Sequence, residues 1–365
     1  VKHRHPPIEW GGLYCYNIFM KREIFVGNVG IGGDHPVSIQ SMTSTKTIDV
    51  RSTLNQIIEL QKEGCEIVRV AVPDKPSLIP FKQIVKESPI PVIADIQFDS
   101  YLALKSIENG AHGIRINPGN MGSRKKLKEI LELANQRKIP IRIGVNSGSI
   151  EKKYRDLSNS IPEAMVRSVM DKVKFFEDNN FFNMKISLKS SNVKETVQAY
   201  GMIDKRCDYP LHLGVTETGT FLSGTVKSAI GIGSLLLVGI GNTIRVSLTE
   251  DPIKEVKVAK EILKALGLRK NEFDIISCPT CSRTTVDLIS IVKEIEKKLS
   301  NVKPNKKIKV AIMGCEVNGP GEAKEADIGI AFSKKKGYIF KQGKMIETIT
   351  PDKAINRLVE LIKKL

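Results

Sequence analysis

Between residues 37 and 266, short β-rich runs and amphipathic helical stretches alternate, and this alternation constrains the fold more than any other feature. The β-rich runs cover 37–42, 66–72, 91–97, 113–117, 139–146, 183–189, 210–216 and 242–248. Helical patterns separate several of them, at 50–63, 100–109, 124–138, 163–178, 193–203 and 252–266. A strand that returns parallel to its predecessor needs a crossover, so the pattern predicts a parallel sheet. Eight units in roughly 230 residues match the count and size of a (β/α)8 barrel; a doubly wound sheet rarely needs so many. Ahead of the alternation lies a poorly patterned stretch with Gly-Gly pairs at 11–12 and 32–33 and a hairpin-like run at 22–29. After residue 268 the order changes to strands at 273–277, 308–313 and 327–332 and helices at 286–299 and 351–364, with a Lys-, Asn- and Pro-rich solvent loop at 300–307. The expected division is therefore a barrel over 1–268 and a smaller α/β domain over 269–365. No internal repeat links the two.

The predicted barrel strands carry polar residues on one face, crowded towards their C-terminal ends. Asp95 shares a face with Gln97, Arg115 with Asn117, and Arg142 with Asn146; Lys185, Ser187 and Lys189 align, as do His212 with Thr216 and Arg245 with Ser247, while Arg69 stands alone. Strand side chains alternate, and one face of a barrel strand points inward. A packed interior prefers Val, Ile and Leu, so these charges are expected to meet at the C-terminal mouth, where barrel active sites lie. Any single arginine could be salt-bridged or snorkelling; four arginines and two lysines at matching strand ends suit a substrate with two phosphates, because guanidinium forks bind phosphate oxygens bidentately. Lys189, nearer its strand's end, is the better ligand of the two lysines. Gly239-Ile-Gly241, before the eighth strand, would add backbone donors for phosphate. Glu217 leaves the seventh strand and places a carboxylate in this cationic mouth, as a counter-charge or as a proton donor.

The small domain carries Cys278-Pro-Thr-Cys281 and, further on, Gly314-Cys315. Three thiolates are soft ligands suited to an iron–sulfur cluster or zinc. Structural zinc wants four closed ligands, and the last histidine in the chain is His212. A cubane cluster on three cysteines fits better; the bland alternative is a chance Cys-x-x-Cys beside a buried cysteine.

Charge and composition narrow the class. The net charge is +17, but Lys and Arg are spread along the chain and aromatics make up only 5%. No basic block is interleaved with stacking rings, which disfavours nucleic acid. A basic balance instead suits an anionic substrate or an acidic protein partner. The hydrophobic share is 41%, no apolar run is long enough to span a membrane, and no signal-peptide core opens the sequence. Six scattered cysteines do not form a secreted disulfide scaffold, so a reducing cytoplasm is expected.

Together, Gln40-Ser-Met-Thr43, Arg115-Ile-Asn-Pro-Gly-Asn120, Arg142-Ile-Gly-Val-Asn146, Gly214-Val-Thr-Glu217, the 239–247 run, the Cys-x-x-Cys pair and Gly314-Cys315…Asn318-Gly-Pro-Gly-Glu322 resemble the 4-hydroxy-3-methylbut-2-enyl diphosphate synthase family from about residue 20 onward. These are iron–sulfur enzymes of the non-mevalonate isoprenoid pathway, and the chain has the length of their compact bacterial form. The resemblance implies reductive ring opening and dehydroxylation of 2-C-methyl-D-erythritol 2,4-cyclodiphosphate. It also implies a [4Fe–4S] cluster on Cys278, Cys281, Cys315 and Glu322, and a homodimer in which each cluster domain caps the partner's barrel. A carboxylate is a harder, weaker iron ligand than thiolate, so Glu322 could yield to substrate oxygen; Glu316 is its competitor. Reduced flavodoxin or ferredoxin would suit the basic surface as electron donor. Gln97 stands where many members have His, which argues against a titrating role there. The competing readings are a non-redox barrel enzyme with a structural metal domain and a nucleic-acid-binding metalloprotein.

Overall fold

The computed structural model describes residues 21–117, 123–269, 272–300, 302, 304–317, 321 and 325–365. The glycines at 11–12, Asn120, Asn318 and Glu322 lie outside the described residues. The chain divides into two compact units after Ile262.

The first unit opens with a hairpin, β1 (Ile24–Val26) and β2 (Val29–Ile31), followed by eight parallel strands. These are β3 (Ser38–Met42), β4 (Ile67–Ala71), β5 (Val92–Asp95), β6 (Gly113–Ile116), β7 (Ile141–Asn146), β8 (Met184–Lys189), β9 (His212–Leu213) and β10 (Thr243–Ile244). The helices between and after them are α1 (Val50–Glu63), α2 (Leu78–Glu87), α3 (Ser100–Glu108), α4 (Arg124–Gln136), α5 (Lys152–Asp156), α6 (Ile161–Asp178), α7 (Val193–Asp204), α8 (Phe221–Leu237) and α9 (Pro252–Ala265). Polar caps start many of them: Asp49, Asp99, Ser123, Ser160 and Asn192 each accept a first-turn backbone N–H.

The sheet order is β8-β7-β6-β5-β4-β3-β10-β9, and a parallel bridge from Ile186 to Leu211 brings β9 back to β8. The ring is thus a (β/α)8 barrel, as its alternation predicts. The hairpin closes the end opposite the mouth, where Ile24, Val26 and Ile31 pack on Ile67 and Ile93.

Three local departures have physical causes. β9 and β10 are two residues each rather than seven, and β9 ends before Gly214, where the backbone passes close to its neighbours. A Cβ there would come within 2.6 Å of both the Arg245 carbonyl oxygen and Lys189 Nζ. α8 hides its period: it is apolar nearly all round and contains Gly224, Gly231 and Gly233, so no polar face marks it as a helix. Gly239 and Gly241 sit between α8 and the start of β10, at the end of the barrel away from the mouth. Gly239 caps α8 through its N–H to the Leu236 carbonyl, and a Cβ on Gly241 would strike Leu213 at 2.3 Å. Their glycines serve packing at the wrong end for a mouth phosphate.

The second unit is a five-stranded sheet in the order β11 (Phe273–Ser277), β12 (Ile308–Met313), β13 (Ile328–Phe332), β14 (Gly337–Lys341) and β15 (Lys344–Ile349). β11, β12 and β13 are parallel and the last two strands antiparallel. Helices α10 (Leu288–Leu299) and α11 (Pro351–Ile362) contribute Ile295, Leu299, Leu358 and Ile362 to a core with Val310, Ile312 and Ile330. The β14–β15 hairpin is absent from the sequence expectation because β15 is largely exposed and lacks an apolar face. Its turn is read afterwards from Gln342 and Gly343, which both adopt positive φ, as a two-residue hairpin loop requires. Among the described residues, no helix is long and apolar enough to cross a membrane.

Candidate active site

Strand register places the predicted mouth residues in rows. Asp95 pairs with Arg115, Arg115 with Arg142, and Arg142 with Lys185 on successive strands. Towards the mouth, Gly144 faces Ser187 and Asn146 faces Lys189. In-register residues of parallel strands share a face, so one row carries a carboxylate and three cations.

Asp95 is the hub. Arg69 Nε lies 3.3 Å from its Oδ2 and Arg115 Nη1 3.1 Å from its Oδ1. Burial alone would raise its pKa, but Arg69, Arg115 and Arg142 together hold it below the usual carboxylate range. Arg115 Nη1 also donates to Gln97 Oε1 at 2.9 Å, so Gln97 acts as a neutral acceptor. Arg69 donates to Met42 Sδ at 3.0 Å, and burial lowers its own pKa to about 10. Across the barrel Arg245 Nη2 lies 3.4 Å from Glu255 Oε2. Glu255 also accepts from Ser41 Oγ at 3.3 Å and from the Leu248 N–H at 3.0 Å.

Many polar nitrogens in this interior have no protein partner among the described residues. They include Arg115 Nε, Arg142 Nε and Nη1, Arg245 Nε, Lys185 Nζ and both ring nitrogens of His212. Arg142, Lys185 and His212 are 4%, 1% and 0% exposed. Burial, then the neighbouring cations, pushes Arg142, Lys189 and His212 well below their usual values and brings Lys185 to about 7. An orphaned buried donor costs about 1–3 kcal/mol, and more when charged. Six cations against Asp95 and Glu255 are thus an electrostatic deficit that a multiply anionic ligand relieves.

One consequence is measurable. An anion near Lys185 favours its ammonium, so the complex has a higher Lys185 pKa than the free protein. Below about pH 7 both states are protonated and affinity is full. Above it, binding must take up a proton, and affinity falls as pH rises. We expect proton uptake at pH 8, read from the buffer dependence of the calorimetric binding enthalpy, to shrink in Lys185→Met. Equal uptake in both proteins would assign it elsewhere.

The remaining predicted residues are placed less centrally. Asn117 and Ser187 are buried, Asn146 and Ser247 half-buried. Thr218 Oγ1 donates to the Ser247 carbonyl and the Thr249 N–H to the Gly219 carbonyl at 2.9 Å, which ties the loops after β9 and β10 together. This loop presents Glu217, exposed and at φ 53°, left-handed backbone that a β-substituted residue adopts only at a cost of about 1–3 kcal/mol. Sequence reasoning missed Glu255 and Tyr200. Glu255 shares the buried stripe of α9 with Ala259 and Ile262, and a carboxylate on an apolar stripe was the available signal. Tyr200 Oη donates to the His212 carbonyl and accepts from the Leu188 N–H, fixing β8 against β9; no sequence pattern marks it.

In the small domain β11 and β12 end side by side, with Ser277 paired to Ile312. Cys278 and Cys315 therefore leave adjacent parallel strands, and the Gly314 N–H donates to Cys278 Sγ at 3.3 Å. Cys281 is exposed on the following loop; the Arg283 N–H and then its guanidinium hold the thiol below its usual range. Cys315 is 7% exposed and lines a cavity of about 550 Å³ together with Arg283, Glu316 and residues 332–335. Among the described residues, no three thiol, imidazole or carboxylate groups stand together as a metal site. The donor chemistry nevertheless fits an iron–sulfur group: soft thiols converge on one sheet end, and a backbone N–H already points at sulfur.

A (β/α)8 barrel with an anion-seeking mouth, joined to a thiol-bearing α/β domain, defines a class of phosphate-handling redox enzymes. Residues 21–260 match the GcpE TIM-barrel domain and residues 274–364 the GcpE protein C-terminal domain. A 4-hydroxy-3-methylbut-2-en-1-yl diphosphate synthase (flavodoxin) from Caldanaerobacter subterraneus subsp. tengcongensis is 53% identical over 347 residues, covering 95% of this chain and 97% of the relative. The enzyme of the same name from Lawsonia intracellularis is 53% identical, over 94% and 96% of the two chains. The chain belongs to the 4-hydroxy-3-methylbut-2-en-1-yl diphosphate synthase family, whose members are iron–sulfur oxidoreductases. Among solved structures, dihydropteroate synthase from Thermus thermophilus superposes at a TM-score of 0.50 with 13% identity, covering 67% of this chain and 99% of that one. That likeness shows the barrel fold alone.

Proposed function

We propose that the barrel mouth binds 2-C-methyl-D-erythritol 2,4-cyclodiphosphate and that the chain converts it to 4-hydroxy-3-methylbut-2-enyl diphosphate. The observation that carries the binding site is the set of buried cationic donors without a partner among the described residues. Arg115, Arg142, Lys185, Lys189 and Arg245 take the two phosphates, with Arg69 held on Asp95 behind them. Neutral His212, Asn117, Asn146, Ser187 and Ser247 supply uncharged contacts around the ring. Two electrons enter, the ring carbon–oxygen bond to phosphate and the carbon–hydroxyl bond break, a double bond forms, and the hydroxyl leaves as water. Glu217 stands at the rim to deliver the proton that departing hydroxyl requires.

Cys278, Cys281, Cys315 and Glu322 would hold a [4Fe–4S] cluster, which supplies electrons one at a time when bound. Reduced flavodoxin is the donor named for the relatives and the one assigned to this chain. The reaction belongs in the cytoplasm, where thiols stay reduced.

The site is completed between two copies of the chain. α9 runs from the mouth to the opposite end, where Lys260 Nζ meets Glu63 Oε1 at 3.1 Å beside the C-terminus of α1. The polypeptide thus leaves its barrel on the side away from the mouth, which favours donation of its cluster to a partner. Two exposed apolar features support this reading. Leu222, Val226, Ile230 and Leu237 form an exposed stripe along α8. Ile48, Ile79, Phe98 and Leu157 stand exposed after β3, β4, β5 and β7, around the mouth.

Mixing Glu217→Gln protein with Cys281→Ser protein, under conditions that allow subunit exchange, tests the shared site. Half of the random dimers are mixed and each owns one intact site, so about a quarter of wild-type sites should return. No recovery of cyclodiphosphate turnover, with exchange confirmed by a tagged subunit, would place the site within one chain.

A further inference from the structure

The cavity beside Cys315 has a lining that the reaction at the barrel mouth does not use. Its outer wall is the turn from Ser333 to Lys336, which follows β13. β13 is parallel to β12, so this turn emerges at the same sheet end as Cys278 and Cys315. The turn is pinned: the Ser333 N–H donates to the Lys336 carbonyl at 2.7 Å, and the Lys336 N–H to Ser333 Oγ at 3.2 Å. Lys334 and Lys335 occupy its tip, both exposed, and among the described residues neither pairs with a carboxylate. Arg283 also lines the cavity, Glu316 is the one carboxylate in the lining among the described residues, and Val317 is 64% exposed. A cationic rim around a small apolar floor, with a cluster cysteine in its wall, is a surface built to receive something acidic and brief in its stay.

We infer that the Ser333–Lys336 turn, with Arg283 and Val317, is the docking surface for the acidic one-electron carrier protein that reduces this enzyme. The inference rests on the functional reading above and deepens it. An electron must reach the cysteine-held group through a short path, and Cys315 gives this surface that path. Electron-transfer encounters bury little area and draw their rate from complementary charge, which steers approach without prolonging the complex. A pinned turn holds two lysines outward at little entropic cost on docking.

The test uses the full-length, cluster-loaded enzyme and two electron sources, reduced flavodoxin and reduced methyl viologen. Lys334→Glu/Lys335→Glu should lower flavodoxin-driven turnover at limiting flavodoxin about tenfold or more, flatten its salt dependence and leave viologen-driven turnover unchanged. Lys341→Glu/Lys344→Glu makes the same charge change at the other end of β14, beside the β14–β15 turn, and should behave as wild type with both donors. Lys334→Gln/Lys335→Gln should fall between. Flavodoxin-driven rates that match wild type in the reversal variant, or that drop equally in the far-end variant, overturn the docking surface. Loss of viologen-driven turnover in the Lys334/Lys335 variants alone would also overturn it, because the lysines would then serve the cluster or the substrate. A wild-type enzyme that holds its cluster but turns over with neither donor overturns the functional reading, and this inference with it.

Discussion

Cys281→Ser should abolish turnover and remove most of the brown colour expected of anaerobically purified protein, while the melting temperature of the metal-free chain should stay where it was. Cys281 is exposed, on a loop beyond β11, and contributes nothing to the core built by Val310, Ile312, Ile330 and Leu358. Its loss should therefore act on the proposed cluster and spare the scaffold. The wild-type protein should carry about four irons and four labile sulfides per chain, as a cubane requires. Serine keeps the size of the side chain but replaces a soft, readily ionised thiol with a hard alcohol. The Arg283 N–H that favours a negative Cys281 sulfur cannot make an alkoxide at neutral pH. Iron and sulfide analysis with absorbance spectra reads the result. Stoichiometric zinc without labile sulfide in the wild-type protein would instead promote a structural metal domain.

How much of the molecule is legible in its sequence depends on whether the signal is local. The strands from β3 to β8 announce themselves by composition and turn signals, and their helices by polar caps such as Asp49 and Ser160. Period-two reading also places Arg115, Arg142 and Lys185 on one face, and the register aligns them as neighbours. What fails to show is whatever depends on the third dimension. Gly239 and Gly241 look like a phosphate loop, yet chain direction puts them at the wrong end of the barrel. Glu255 lies ten residues beyond Arg245 on a helix rather than a strand, so strand alternation does not mark it, and folding brings its carboxylate within 3.4 Å of that guanidinium. α8 conceals its helical period because it turns apolar residues outward as well as inward. Nothing in the sequence around the lysines of the β13–β14 turn tells that they emerge beside the cysteines; the parallel pairing of β13 with β12 puts them there.

Arg142→Ala should weaken binding of the cyclic diphosphate by about 2–4 kcal/mol, roughly 30- to 1000-fold, with the cluster spectrum unchanged. Arg142 is 4% exposed, and among the described residues neither Nε nor Nη1 has a protein partner. Desolvation, then Arg69 and Arg115, work against its charge, and Asp95 is the main source of relief. Such a group contributes little to holding the apo barrel together and imposes a repulsion on it. Removing it should leave the melting temperature of the ligand-free protein unchanged or raise it, even though a cavity opens. Stabilisation by ligand, by contrast, should shrink, since it scales with affinity. A structural arginine predicts the reverse pair of results: a lower apo melting temperature and an unaltered dissociation constant. Calorimetric titration and thermal denaturation of the same preparations separate the two. Arg245→Ala offers the internal comparison. Its guanidinium already meets Glu255, so truncation also strands a buried carboxylate, and part of its loss should appear as lower apo stability.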